Sequence, residues 1–305
     1  MSFLIVHEVK DDLDLQENSK QTHMQTYLDI VQKILNEGVE KTDRTGTGTK
    51  AIAGAMSEHD MSKGYPLLTT KKMPFRVMAV ELEFFIKGIT DKEWLKERKC
   101  HIWDELAHPK KAPYGHDEES KRRMAEERDI GPVYGFQWRH FGADYENYDT
   151  DYAGQGVDQL GQLVDLLKND PASRRMIVCA WNPAMQTEMA LPPCHFVFQV
   201  TVTDGKLNLL WTQRSVDVML GLPFNISSYA LLLHLLAKEA GLKEGKLVGF
   251  LGDVHIYNNH IEGAKEQLSR DPNAHALPTI ETENFSSIFD WTYKDTKLVG
   301  YESYP

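Results

Sequence analysis

Cys194 follows Pro192-Pro193 in the stretch 191–196 (LPPCHF). Two prolines restrict the backbone just ahead of the thiol, which suits a side chain that must be held at one angle. A cysteine among apolar neighbours is more commonly a small buried hydrophobe. Nearby cations weigh against that reading, because the thiolate is the reactive form and positive charge favours it. His195 and the pair Arg174-Arg175, placed just before an apolar run, are the candidates. Adjacent arginines are commonly a solvated patch, yet the guanidinium fork matches phosphate oxygens two at a time. A second polar group, at 213–225 (QRSVDVMLGLPFN), lies between an expected strand and the most apolar helix of the chain. There Arg214 and Ser215 suit phosphate, and Asn225 suits a planar heterocycle, since an amide sets a donor beside an acceptor. Asn225 can equally be the cap of the following helix. His255 and Tyr257, two apart in 252–257 (GDVHIY), face one way on an extended segment and suit sugar hydroxyls.

Elements of both kinds must carry these residues. Tyr27, Ile30, Val31, Ile34 and Leu35 recur at helical spacing before Gly38. Residues 43–49 (DRTGTGT) read as a loop. Helices are expected at 75–87, at 157–168 with Leu160, Leu163, Val164 and Leu167 inward, and at 226–240, where almost every residue is apolar. Residues 176–181, 196–202 and 207–212 read as strands, the last two forming a hairpin through 203–206 (TDGK). The chain is expected to be α+β: a single domain with a mixed or antiparallel sheet around one buried helix. Residues 1–21 read as a flexible acidic leader, 22–305 as the catalytic domain, and 108–130 as a charged surface insertion.

Composition narrows the partners. The longest apolar run, at 229–236, is broken by His234 and is too short for a bilayer. A net charge of -11 disfavours nucleic acid and membrane surfaces. An anionic ligand would therefore need a local arginine cluster. The three cysteines (Cys100, Cys179, Cys194) are odd in number and lack metal-type spacing. No metal is expected, and a reducing compartment such as the cytoplasm is.

The stretches DRTGTGT (43–49), PLLTTKK (66–72), GPVYGFQWRHFGADY (131–145), DYAGQGVDQL (151–160), SRRMIVCAWNP (173–183), ALPPCH (190–195), QRSVDVMLGLPFNISSYALL (213–232) and GDVHIYNNH (252–260) resemble the thymidylate synthase family, in the right order. The resemblance implies its fold and a homodimer joined through the sheet. It implies that Cys194 adds to C6 of dUMP, after which C5 takes the one-carbon unit of 5,10-methylenetetrahydrofolate. Glu81 would organise water and move protons at O4 and C5, with Tyr134, His195, Arg214 and Asn225 beside the reacting ring. Arg44, Arg174, Arg175, Arg214 and Ser215 match the phosphate site, Arg174 and Arg175 reaching across to the partner's. Asn225 matches the residue that selects uracil, and Asp217, His255 and Tyr257 match other nucleotide-side positions. Lys71, Ile102, Trp103, Asp217, Leu220, Gly221 and Phe224 match the folate side.

Departures from the family pattern bear on the product. The family's Glu-Leu-Leu-Trp-Phe is here Glu81-Leu82-Glu83-Phe84-Phe85. Glu83 either resembles the deoxycytidylate hydroxymethylase branch or simply reaches solvent, two residues round the helix from Glu81. Pro74 replaces a basic residue at a variable position. The sequence also stops at 299–305 (VGYESYP), where synthases continue with a tail that closes over folate. A wet site would let water add to the exocyclic methylene, giving 5-hydroxymethyl-dUMP and tetrahydrofolate. The expectation is therefore a dUMP hydroxymethylase, from a virus with modified uracil in its DNA and working in the host cytoplasm. The alternatives are thymidylate synthase, giving dTMP and dihydrofolate, and an inactive homologue that binds nucleotide or RNA.

Overall fold

In the computed structural model, which describes residues 24–42 and 46–305, an apolar helix lies across a six-stranded sheet. The expected leader and Arg44 fall outside the described residues. Helix α1 (Gln25–Glu37) buries Tyr27, Leu28, Ile30, Val31 and Ile34 and ends at Gly38, whose N–H bonds to Ile34 O at 2.9 Å. Strands β1 (Val39–Lys41) and β2 (Thr49–Asp60) follow. Helices α2 (Phe75–Ile86), α3 (Lys92–Glu97), α4 (Glu118–Glu126), α5 (Tyr134–His140) and α6 (Gln159–Asn169) come next. Then come β3 (Ile177–Cys179), β4 (His195–Thr203), β5 (Lys206–Asp217), α7 (Gly221–Ala240) and β6 (Lys243–Tyr257). Helix α8 (Ile261–Ser269) and the small hairpin β7 (Thr279–Thr282) and β8 (Thr296–Val299) complete the order.

The sheet runs β1-β2-β6-β5-β4-β3, antiparallel throughout except for the parallel pair β5–β6. That pair needs a crossover, and α7 provides it. Burying α7 against β5 and β6 explains why its sequence is apolar all round. The β4–β5 hairpin turns through Asp204 and Gly205 at φ 51° and 68°, the two left-handed residues that a tight hairpin needs. On the sheet face away from α7, Met56 and Phe250 stand exposed.

Two expectations change here. Helix α7 begins at Gly221 rather than 226, so Asn225 lies within its first turns and is not its cap; the N-cap position is Leu220. Glu83 does not reach solvent. It is 3 % exposed, pairs with Lys87 at 2.8 Å and accepts the N–H of Tyr293 at 2.9 Å. One turn of α2 supplies its counter-ion, and the second bond ties α2 to the chain's last hairpin. In the 108–130 segment, Ala112 and Met124 bury themselves with Ala107, and Asp129 and Ile130 are wholly enclosed.

Candidate active site

Strand β4 begins beside Cys194, and the pairing with β5 is irregular between His195 and Val197. Bulges of this kind re-aim a side chain at the edge of a site. The backbone on either side of Cys194 is locked. Its N–H donates to the Tyr134 hydroxyl at 2.8 Å, and its carbonyl accepts from Arg214 N at 2.8 Å. Pro192 and Pro193 bring no N–H of their own, but their carbonyls accept Arg214 Nη2 at 2.8 Å and Nε at 2.9 Å. The same Nη2 lies 4.0 Å from Cys194 Sγ. One guanidinium thus stiffens the loop and places positive charge at the sulfur, which favours the thiolate.

His195 does not share that task. Its ring stacks on Tyr134 with centroids 4.4 Å apart, and Nδ1 meets the Tyr229 hydroxyl at 3.0 Å. Burial pushes its pKa down to about 3, so it stays neutral at the sulfur. Burial likewise holds Tyr134 far above the ordinary phenol range, and it remains a neutral hydrogen-bonding group.

Glu81, a buried residue of α2, shares a cavity with the thiol. Burial pushes its carboxyl up to about 7, while the Trp103 indole N–H, 2.8 Å from Oε1, pulls the other way. A carboxyl poised near neutrality can both take and give a proton. Cys194, Glu81, Trp103, Tyr134, His195 and Arg214 line one cavity of about 750 Å³. That volume is ample for a small organic ligand, and its walls are part apolar and part polar.

Residues 25–305 match the sequence profile of the family described as thymidylate synthase. This chain belongs to the thymidylate synthase family. A bifunctional dihydrofolate reductase-thymidylate synthase of Paramecium tetraurelia is 44 % identical over 278 residues, which covers 91 % of this chain and 59 % of that relative. The chain therefore spans somewhat under two thirds of the length of the curated relative it matches. Members of the thymidylate synthase family are transferases that use 5,10-methylenetetrahydrofolate.

The remaining expected residues divide into three groups. Ser215 and Asp217 at the end of β5, Asn225 in α7, and His255 and Tyr257 at the end of β6 all line the cavity. So do Ile102, before the turn of Trp103, and Leu220, Gly221 and Phe224 at the entry to α7. His255 Nδ1 is 3.1 Å from Asp253 Oδ1, and Asp253 pairs with Lys41. Lys71 is not in the lining; its Nζ donates to Met219 O at 2.5 Å and so braces the 217–221 loop from behind. Arg174 and Arg175 are exposed and away from their own chain's cavity, so among the described residues Arg214 is the cation seen beside the sulfur. Leu106, Leu191, Pro192 and Gln213 line the cavity unforeseen. Three of these sit inside or beside stretches already singled out. Leu106 enters only because the turn after Trp103 folds back, which no periodicity reveals.

Proposed function

We propose that this chain methylates C5 of dUMP reductively, giving dTMP and dihydrofolate. One arrangement carries the reading: a backbone-locked Cys194 beside Arg214, sharing one cavity with a carboxyl poised at about 7. Arg214 and Ser215 would hold the phosphate together with Arg44. Asn225 would pair with the uracil edge, and His255 and Tyr257 with the sugar. The Cys194 thiolate adds to C6, and the C5–C6 π electrons move onto the C4 oxygen. That charge needs a proton donor nearby, which Glu81 can be. Glu81 can also steer the loss of the C5 proton through water, after which the sulfur leaves C6 and the thiolate is restored.

The apolar part of the lining suits a folate. Ile102, Trp103, Leu106, Leu220 and Phe224 give the lining apolar side chains, and the Asp217 carboxylate suits the N–H donors of a pterin. Such walls also exclude water. When bound, 5,10-methylenetetrahydrofolate supplies the one-carbon unit and the hydride that reduces it.

Reductive methylation is preferred over hydroxymethylation for two reasons. The 44 % identical relative carries thymidylate synthase in its name. Glu83, which had favoured the hydroxymethyl product, is spent on Lys87 and Tyr293 and does not line the cavity. A viral source with modified DNA was expected only with that product. A homodimer is part of the proposal. The exposed Met56 and Phe250 give a second copy an apolar sheet face, and Arg174 of the partner subunit and the partner's Arg175 would complete the phosphate site. A cytoplasmic setting fits three cysteines that form no disulfide.

The test is product identification. Full-length protein with dUMP and the methylene folate should raise absorbance at the dihydrofolate band and yield dTMP by mass spectrometry. A product heavier by one oxygen, without dihydrofolate, would overturn the reductive step. No adduct of 5-fluoro-dUMP on Cys194 would overturn the mechanism.

A further inference from the structure

Lys92, the first residue of α3, is wholly buried. A buried ammonium is costly unless its three N–H donors are satisfied. Here three backbone carbonyls meet it: Asp104 O at 3.0 Å, Leu106 O at 2.8 Å, and Met124 O. Burial pulls its pKa down to about 8, so the three-donor form still prevails at neutral pH. The Met124 carbonyl lies in the last turn of α4, where carbonyls lack helical partners and the dipole is negative. One turn further along α3, Lys96 Nζ takes the next carbonyl, Ala125 O, at 2.8 Å. The other two carbonyls held by Lys92 belong to the turn that carries Trp103 and Leu106 into the cavity, and Trp103 in turn bonds Glu81.

A single ammonium therefore joins the end of the inserted helix to the wall of the active site. We propose that Lys92 is a positioning residue, setting the 102–106 wall against α4 and, through Trp103, the placement of Glu81. Naming that wall the folate side rests on the function proposed above; the mechanical coupling does not. The insertion is then a brace for the cavity, with Lys92 as its attachment point.

The test uses the full chain with Lys92→Met, which keeps the stem and removes all three donors. Amide exchange in 101–107 should speed up at least about threefold, as for a segment losing local protection, while β4 and β5 are unchanged. The KM for the methylene folate should rise about three- to thirtyfold, the range for a residue acting through a neighbour, with the dUMP dissociation constant within twofold. The bend in the pH–rate profile near 7 should move. Lys96→Ala should loosen α4 alone. If Lys92→Met does not fold, Lys92→Gln, with two donors, gives the same pattern at smaller amplitude. Unchanged exchange in 101–107, uniform loosening of the whole chain, or parallel loss of dUMP and folate affinity overturns the proposal. If the unmodified protein leaves dUMP untouched, the function proposed above falls, and the exchange pattern still decides the role of Lys92.

Discussion

Around Cys194, main-chain bonds to Tyr134 and Arg214 hold the reacting wall, whereas Ile102 and Leu220, elsewhere in the cavity lining, are 45 % and 57 % exposed. The first wall grows from the ends of β4, β5 and β6. The second comes from a turn and the entry to α7, braced from behind by Lys71 and Lys92. The difference separates two tasks. Forming a bond to carbon needs a pre-set angle, while closing over a large flat ligand needs a surface that can settle onto it.

Substitutions should follow that division. Cys194→Ala should cost at least about a thousandfold in turnover, as loss of a nucleophile does, and abolish the 5-fluoro-dUMP adduct. Glu81→Gln should cost about a hundredfold or more and remove the bend in the pH–rate profile near 7. The same variant should gain stability in alkali. Glu81 has its folded pKa raised from 4.5 to about 7, so the folded state binds the extra proton and stability falls as pH rises through that window. The loss is on the order of 3 kcal/mol, and thermal unfolding at pH 5 and pH 8 would reveal its absence in Glu81→Gln. Arg214→Ala should weaken dUMP on the order of tenfold to a hundredfold, since charge-assisted bonds are worth about 1.5–3 kcal/mol; Arg214→Lys should recover little of it. Leu220→Ala should raise the folate KM only about two- to fivefold and leave dUMP affinity alone, as titration calorimetry can check. A Leu220→Ala protein that lost nucleotide binding would erase the contrast between the walls.

Much of the reacting wall was legible in sequence. The prolines before Cys194, the polar run 213–225 and the alternation of His255 and Tyr257 each carry local signals, and all meet in the cavity. The charge on the thiol was misassigned because distance is not a sequence property. His195 is adjacent yet neutral, while Arg214, 20 residues on, reaches the sulfur. Glu83 was unreadable for a similar reason: Lys87 one turn away is visible, but Tyr293, whose N–H completes the pairing, is 210 residues distant. Strand β2 escaped notice because its burial follows no clean alternation. The first half of β6 does alternate, but Gly245 and Gly249 fill two of its buried positions while the intervening Val248 and Phe250 are apolar, which hides the pattern in the sequence. The brace at Lys92 depends on main-chain carbonyls, which every residue has and no motif records.

The last long strand, β6, enters the middle of the sheet and not its edge, between β2 and β5. A nascent chain still lacking residues 243–257 would hold two fragments, β1–β2 and β3–β4–β5, each with a bare edge open to foreign strands. Insertion of β6 seals both edges and, in the same event, delivers His255 and Tyr257 to the cavity. Protection of those edges and arrival of the last cavity-lining residues this chain supplies are thus one step in the birth of this protein.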